Sequence, residues 1–184
     1  MRKLLCYGDS NTFGWDPRDP LGGRYERPWP SVLQELSGME CVNFGQPGRR
    51  IPESYAERDA LRRIVKSMAP DAVLILLGTN NRFLPPYDTP EQTAGKMDAL
   101  LSSLRSAFPS LPLLLLGLPP MEHNGGWVGA VNTKYATLAD QCALPYYDPS
   151  PLELPLCFDG LHLTEEGHTL LAEGIWKSGI VDTI

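Results

Sequence analysis

The sequence has little that would carry it into a membrane, onto a nucleic acid or around a metal ion. Its longest uninterrupted apolar run, residues 72–77, is the size of a strand, far below the roughly 18 residues that a membrane-spanning helix needs. Only Leu4 to Tyr7 separate Met1-Arg2-Lys3 from Gly8-Asp9-Ser10, too few for the apolar core of an export signal. Positive charge is scarce as well: 16 Lys and Arg against 22 Asp and Glu leave a net charge of −6. The pairs Arg49-Arg50 and Arg62-Arg63 are too small to release counterions as phosphate-backbone binding requires. Cys6, Cys41, Cys142 and Cys157 lie far apart without a C-x-x-C, which fits neither a zinc ribbon nor a redox pair, so they read as buried or neutral thiols. The expectation is one soluble, cytoplasmic domain over residues 1–184, with no nucleic-acid or membrane partner.

What is present is an alternation. Short apolar runs recur at residues 3–7, 40–44, 71–77, 113–117 and 144–147, and most are separated by stretches with helical spacing. This predicts an α/β protein with a parallel sheet. The run 72–77, apolar at every position, suits a central strand covered on both faces. Thr89-Pro90-Glu91-Gln92 combines an N-cap threonine, a proline at the first helical position and a glutamine three residues after the cap, the elements of a capping box. A helix is expected from there to about residue 108, with others near 29–36, 52–68, 128–142 and 164–177, and Gly38 is a candidate left-handed cap for the first. Residues 17–30 and 118–129 are rich in turn formers and are expected to be surface loops near the site.

In an open parallel sheet the ligand lies beyond the carboxyl ends of the strands. Three polar clusters follow predicted strands: Gly8-Asp9-Ser10-Asn11, Gly45-Gln46-Pro47-Gly48 and Gly78-Thr79-Asn80-Asn81. They should converge on one edge. A fourth, Asp159-Gly160-Leu161-His162, precedes the last helix. A serine attacks a carbonyl only when a base takes its proton and donors receive the oxyanion. There are three histidines. His162, three residues after Asp159, has a carboxylate near enough to orient its ring; His168 falls inside a predicted helix, where a packed or solvated histidine is the ordinary reading; His123 sits in a loop beside Asn124-Gly125-Gly126 and is either a loop residue or part of the substrate entrance. The oxyanion donors would be the Ser10 N–H, an N–H of the glycine loop and the Asn80 amide. Asp9 reads as structural, shaping the turn that presents Ser10. Taken singly, each cluster has an ordinary explanation as a tight turn.

In order, the four clusters resemble the four blocks of the SGNH hydrolase superfamily, the GDSL-type esterases and lipases. The resemblance is carried by Tyr7-Gly8-Asp9-Ser10-Asn11-Thr12-Phe13-Gly14-Trp15, Asn43-Phe44-Gly45-Gln46-Pro47-Gly48, Gly78-Thr79-Asn80-Asn81 and Asp159-Gly160-Leu161-His162. It implies a three-layer α/β/α sandwich, flavodoxin-like with five parallel strands, with Ser10 as nucleophile and Asp159 and His162 completing the triad. It also implies that Gly48 and Asn80 complete the oxyanion hole; Gly48 is preferred to Gly45 as the later glycine of the N-x-G-x-x-G pattern. Where members commonly carry aspartate after the block-three asparagine, this chain has Asn81.

The first block is similar to the arylesterase and acyltransferase branch, which implies short acyl esters as substrates and an acyl-enzyme open to transfer as a side reaction. Asn11 and Trp15 are the substrate-binding candidates. Trp15 either walls a narrow acyl pocket or anchors the proline-rich loop. No cofactor or metal is called for. Within the same chemistry the alternative is a carbohydrate O-acetyl esterase. A noncatalytic flavodoxin-like module binding a nucleotide or phosphate is disfavoured, because neither G-x-G-x-x-G nor a P-loop is present. A metal phosphoesterase using Asp9, Asp159 and His162 would want more ligands. Branch members form oligomers, and Trp15, Tyr25 and Trp29 are expected either to supply an interface between copies or to pack against their own domain.

Overall fold

The computed structural model describes residues 1–19 and 21–184. Five strands form one parallel sheet: β1 (Lys3–Gly8), β2 (Glu40–Gly45), β3 (Ala72–Leu76), β4 (Leu113–Leu116) and β5 (Tyr146–Tyr147), in the order β2-β1-β3-β4-β5. Every side chain of β3 and β4 is buried. That is the physical reason a run of leucines serves as strand here: both faces are covered, so burial outweighs intrinsic preference. At the edge, β2 is only half-buried along its whole length.

Helices α1 (Ser10–Phe13), α2 (Trp29–Ser37), α3 (Tyr55–Met68), α4 (Thr79–Phe83), α5 (Pro90–Ala107) and α6 (Gly125–Cys142) lie between the strands, and α7 (Glu165–Lys177) follows the last of them. α2 packs on α7, while α5 packs on α6 and α3, giving the three expected layers. The capping box at Thr89 and Gln92 is formed, and Gly38 ends α2 with φ +69°. A second capping box, Ser54 with Glu57, starts α3 at Tyr55, three residues later than expected. Conversely, α6 begins at Gly125, three residues earlier, because Gly125-Gly126 form a first helical turn where their composition reads as loop. The four-residue α1 and five-residue α4 carry too little periodicity to be seen in the sequence.

The two expected surface loops are only partly so. Leu118 and Met121 are buried, and an isolated antiparallel bridge joins Trp15 to Arg24 across the first loop; Pro20 lies outside the described residues. Tyr25 and Trp29 are buried in their own chain, so they pack within the domain and are not exposed for contact between copies. Cys6 and Cys157 are buried, Cys41 and Cys142 half-buried, and all four are free thiols. Among the described residues no helix is long and apolar enough to cross a membrane.

Candidate active site

Parallel strands bring their carboxyl ends to one edge, and three of the four polar clusters begin there, immediately after β1, β2 and β3. The chain leaves β1 at Gly8 and turns sharply into α1, with Asp9 as N-cap: its Oδ1 accepts from the Asn11 N–H at 3.0 Å. Ser10 is thereby the first residue of α1. It is 5 % exposed, and its own N–H donates to no acceptor among the described residues.

His162 arrives from the other end of the chain. Its Nε2 lies 2.9 Å from Ser10 Oγ and its Nδ1 lies 2.6 Å from Asp159 Oδ2. A proton on Nδ1 satisfies both contacts, leaving Nε2 to accept from the serine hydroxyl. Asp159 Oδ1 also accepts from the N–H groups of Leu161 and His162, each at 3.1 Å. Burial pushes the Asp159 pKa up, but the hydrogen bonds from the His162 ring and from these two N–H groups outweigh it and hold the carboxyl below its usual range. The residues 156–163 fold back as a clasp, through a bridge between Leu156 and Leu163 and a 2.7 Å bond from the Cys157 N–H to the His162 carbonyl.

Asn11 ties this clasp to the serine turn. Its Oδ1 accepts from the Leu163 N–H at 3.0 Å and its Nδ2 donates to the Leu161 carbonyl at 3.3 Å. With the side chain 1 % exposed and both ends committed to backbone, Asn11 is not placed to bind substrate; it fixes His162 against Ser10. Trp15 is half-buried, with its ring against Gly22, which is the loop-anchor arrangement.

The glycine loop separates its two candidates by what their N–H groups are doing. Gly45 donates to Asn43 Oδ1 at 3.0 Å, and a Cβ there would collide with the backbone of Thr12 and Phe13; Asn43 Nδ2 in turn donates to the Thr12 carbonyl at 2.8 Å. Gly45 is therefore a packing glycine that lets β2 approach α1. Gly48 has φ +75° and an N–H with no protein acceptor among the described residues, a conformation that favours glycine. Asn80, in α4, is 7 % exposed, and its Nδ2 donates to the Arg49 carbonyl at 3.0 Å. One amide hydrogen remains for a ligand.

The other two histidines stand apart from this chemistry. His168 is fully buried in α7, with Nδ1 3.4 Å from the Trp29 N–H, and burial lowers its pKa to about 3, so it packs as a neutral ring. His123 is 88 % exposed in its side chain, with φ +60°. Several residues that shape the site had no distinguishing signal in the sequence. Arg49 lies over the Tyr7 ring and donates to the carbonyls of Gly8, at 2.7 Å, and Phe44; Arg50 and Asp88 pair across 38 positions. Among the described residues no group of three or more His, Cys, Asp or Glu side chains is arranged to hold a metal ion.

Asp9 is unusual in its burial. It is 1 % exposed, and its Oδ2 has no hydrogen-bond partner within normal distance among the described residues. Burial raises its pKa to about 7, against the opposing Asn11 N–H, the nearby Thr79 hydroxyl and the Arg49 charge. An unfolded aspartate ionises near 3.9, so between these values the unfolded chain has lost a proton that the folded chain keeps. The Asp9 contribution to stability is therefore greatest in acid and falls as pH rises towards 7. Asp9→Asn, which keeps an acceptor for the Asn11 N–H, should remove this slope. Urea titrations at pH 5 and pH 8 should show the variant gaining about 2 to 3 kcal/mol on the natural protein across that interval. Parallel stability curves would refute the assignment.

Residues 6–170 match the GDSL-like Lipase/Acylhydrolase family, and the chain belongs to that family of hydrolases. Among solved structures it is similar to the aryl esterase of M. smegmatis, at 22 % identity over 100 % of this chain and 99 % of that one, with a TM-score of 0.81. It is equally similar to a carbohydrate acetylesterase from Sinorhizobium meliloti, at 22 % identity over 100 % of both chains, with a TM-score of 0.84. These likenesses establish the fold. No curated protein gives a significant match.

Proposed function

We propose that the protein hydrolyses short-chain acyl esters through an acyl-enzyme on Ser10. The observation that carries this reading is the continuous contact from Asp159 through His162 to Ser10 Oγ, at 2.6 and 2.9 Å. His162 Nε2 takes the hydroxyl proton as Oγ attacks the ester carbonyl. Asp159, ionised and hydrogen-bonded to Nδ1, stabilises the imidazolium that forms. The carbonyl oxygen, now negative, receives the N–H of Ser10, the N–H of Gly48 and the free hydrogen of the Asn80 amide. His162 then gives its proton to the departing alcohol; water, deprotonated by the same nitrogen, attacks the acyl-enzyme, and that proton passes to Ser10 Oγ as the acid leaves. An alcohol that reaches the acyl-enzyme ahead of water takes the acyl group instead, so transfer accompanies hydrolysis.

Support for a short acyl group comes from the first sequence block, residues 7–15. A fluorophosphonate probe should label Ser10 stoichiometrically, with the adduct located by peptide mass. Across p-nitrophenyl esters from acetate to octanoate, kcat/KM should peak at acetate or butyrate and fall at least about tenfold by octanoate, the scale expected from a few methylenes without a matching pocket. A maximum at octanoate would overturn the short-chain reading. Acetylated oligosaccharides turned over faster than aryl acetates would move the assignment to a carbohydrate O-acetyl esterase.

A further inference from the structure

Two of the three oxyanion donors come from separate parts of the chain, Gly48 from the loop after β2 and Asn80 from α4 after β3. One direct bond joins them, from Asn80 Nδ2 to the carbonyl of Arg49 beside Gly48, at 3.0 Å. Around that bond the two segments are braced by an ion cluster that takes no part in the proton transfers. Arg50 reaches from the glycine loop to α4, donating through Nη1 to the carbonyls of Asn80, at 3.2 Å, and Leu84, and through Nη2 to Asp88 Oδ2 at 3.0 Å. Asp88 is buried, and its Oδ2 also accepts from Asn81 Nδ2 at 2.6 Å. Lys96 Nζ donates to both Asp88 oxygens, at 2.8 and 2.7 Å, and to Glu53 at 2.6 Å.

The backbone follows the same lines. Asn81 Oδ1 accepts from the Ile51 N–H at 3.1 Å, and the Asp88 N–H donates to the Asn81 carbonyl at 2.8 Å. Trp127 Nε1 closes the far side on the Asp88 carbonyl at 3.2 Å. The cluster holds two cations, Arg50 and Lys96, and two carboxylates, Asp88 and Glu53, so it is neutral as a unit, with Asp88 buried at its centre, Arg50 and Lys96 half-buried and Glu53 at the exposed rim; the bonds converging on a buried carboxylate hold its partners in place. Loss of one member leaves an uncompensated charge and lets its neighbours move.

An oxyanion hole works only if its donors sit about 2.7–3.1 Å from the developing charge, and small displacements of positioned groups are costly in rate. We propose that Arg50 and Asp88 are positioning residues whose ion pair sets the separation between the Gly48 N–H and the Asn80 amide, and so the fit of the hole to a tetrahedral oxygen. The proposal rests on the serine-hydrolase reading above. A guanidinium suits position 50, since one planar group meets two carbonyls and a carboxylate with donors held in a fixed fork.

The test compares p-nitrophenyl acetate with its thionoester, in which sulfur, a poor hydrogen-bond acceptor, replaces the carbonyl oxygen and draws little from the hole. For Arg50→Lys, kcat on the oxygen ester should fall about 10- to 100-fold with KM within about twofold, while the thionoester rate falls less than about threefold. The preference for oxygen over sulfur then narrows by at least several-fold. A proportional loss on both esters would mean that Arg50 serves only the fold, and an unchanged preference would mean that it does nothing to the hole; either overturns the proposal. Should Arg50→Lys not fold, Asp88→Asn is read in the same way. If neither variant folds, the cluster is a requirement of folding and the proposal fails. Ser10→Ala is measured alongside: turnover retained there sinks the serine-hydrolase reading itself, whereas its loss beside an intact preference in the Arg50 variant sinks this inference alone.

Discussion

Ser10→Ala should lower kcat on p-nitrophenyl acetate by on the order of 10⁴- to 10⁶-fold, the loss seen when a triad nucleophile is removed. His162→Ala should cost about as much, and the double variant should be no worse than either single one. That lack of additivity is the informative part. The 2.9 Å contact between His162 Nε2 and Ser10 Oγ makes the pair one device, and half a device performs no proton transfer. Ser10 is small and its Oγ is not part of the core, so the fold should survive; a thermal melt within a few degrees of the natural protein checks this. A folded Ser10→Ala protein that kept its turnover would remove the nucleophile from the account. A double variant slower than both singles by the product of their separate losses would show two independent contributions in place of a shared one.

The second large effect belongs to Asn80. Asn80→Ala removes one oxyanion donor and should cost about 10²- to 10³-fold in kcat, near 3 kcal/mol of transition-state stabilisation, with KM changed little. Its structural cost is separable. The side chain makes one hydrogen bond to the protein, to the Arg49 carbonyl, so stability should fall by only about 1 kcal/mol. Kinetic loss well beyond the loss of stability is the signature of a donor used in the transition state. Equal modest losses in both would identify Asn80 as a loop tether.

Much of the site was legible because its chemistry follows strand ends. The clusters after β1, β2 and β3 could be expected to share an edge from topology alone, and the ordering of the fourth narrowed the histidines to His162. What the sequence does not show is the use of each group, which composition does not encode. Asn11 looks like any polar residue beside a nucleophile, yet its two ends are committed to the carbonyl of Leu161 and the N–H of Leu163. Gly45 and Gly48 are the same residue three positions apart, distinguished only by where their N–H groups point. Helices α1 and α4 span little more than one helical turn, too little for a periodicity to show, and α6 starts on a glycine pair that reads as loop. Arg50 and Asp88 meet across 38 positions, with no local pattern to announce them. Asn81, the departure from the family's third block, is explained by this partner. Its amide donates to Asp88 at 2.6 Å, a contact at which a second carboxylate would be repelled.

The clip formed by Asn11 bears on how the enzyme comes into being. Ser10 and His162 are separated by 152 positions, as are Asn11 and Leu163. A chain is made from its amino end, so Ser10, Gly48 and Asn80 are synthesised before Asp159 and His162. On the serine-hydrolase reading, Ser10 gains its base only when residues 156–163 have been made and are bound by Asn11, so a late part of the chain completes the pair.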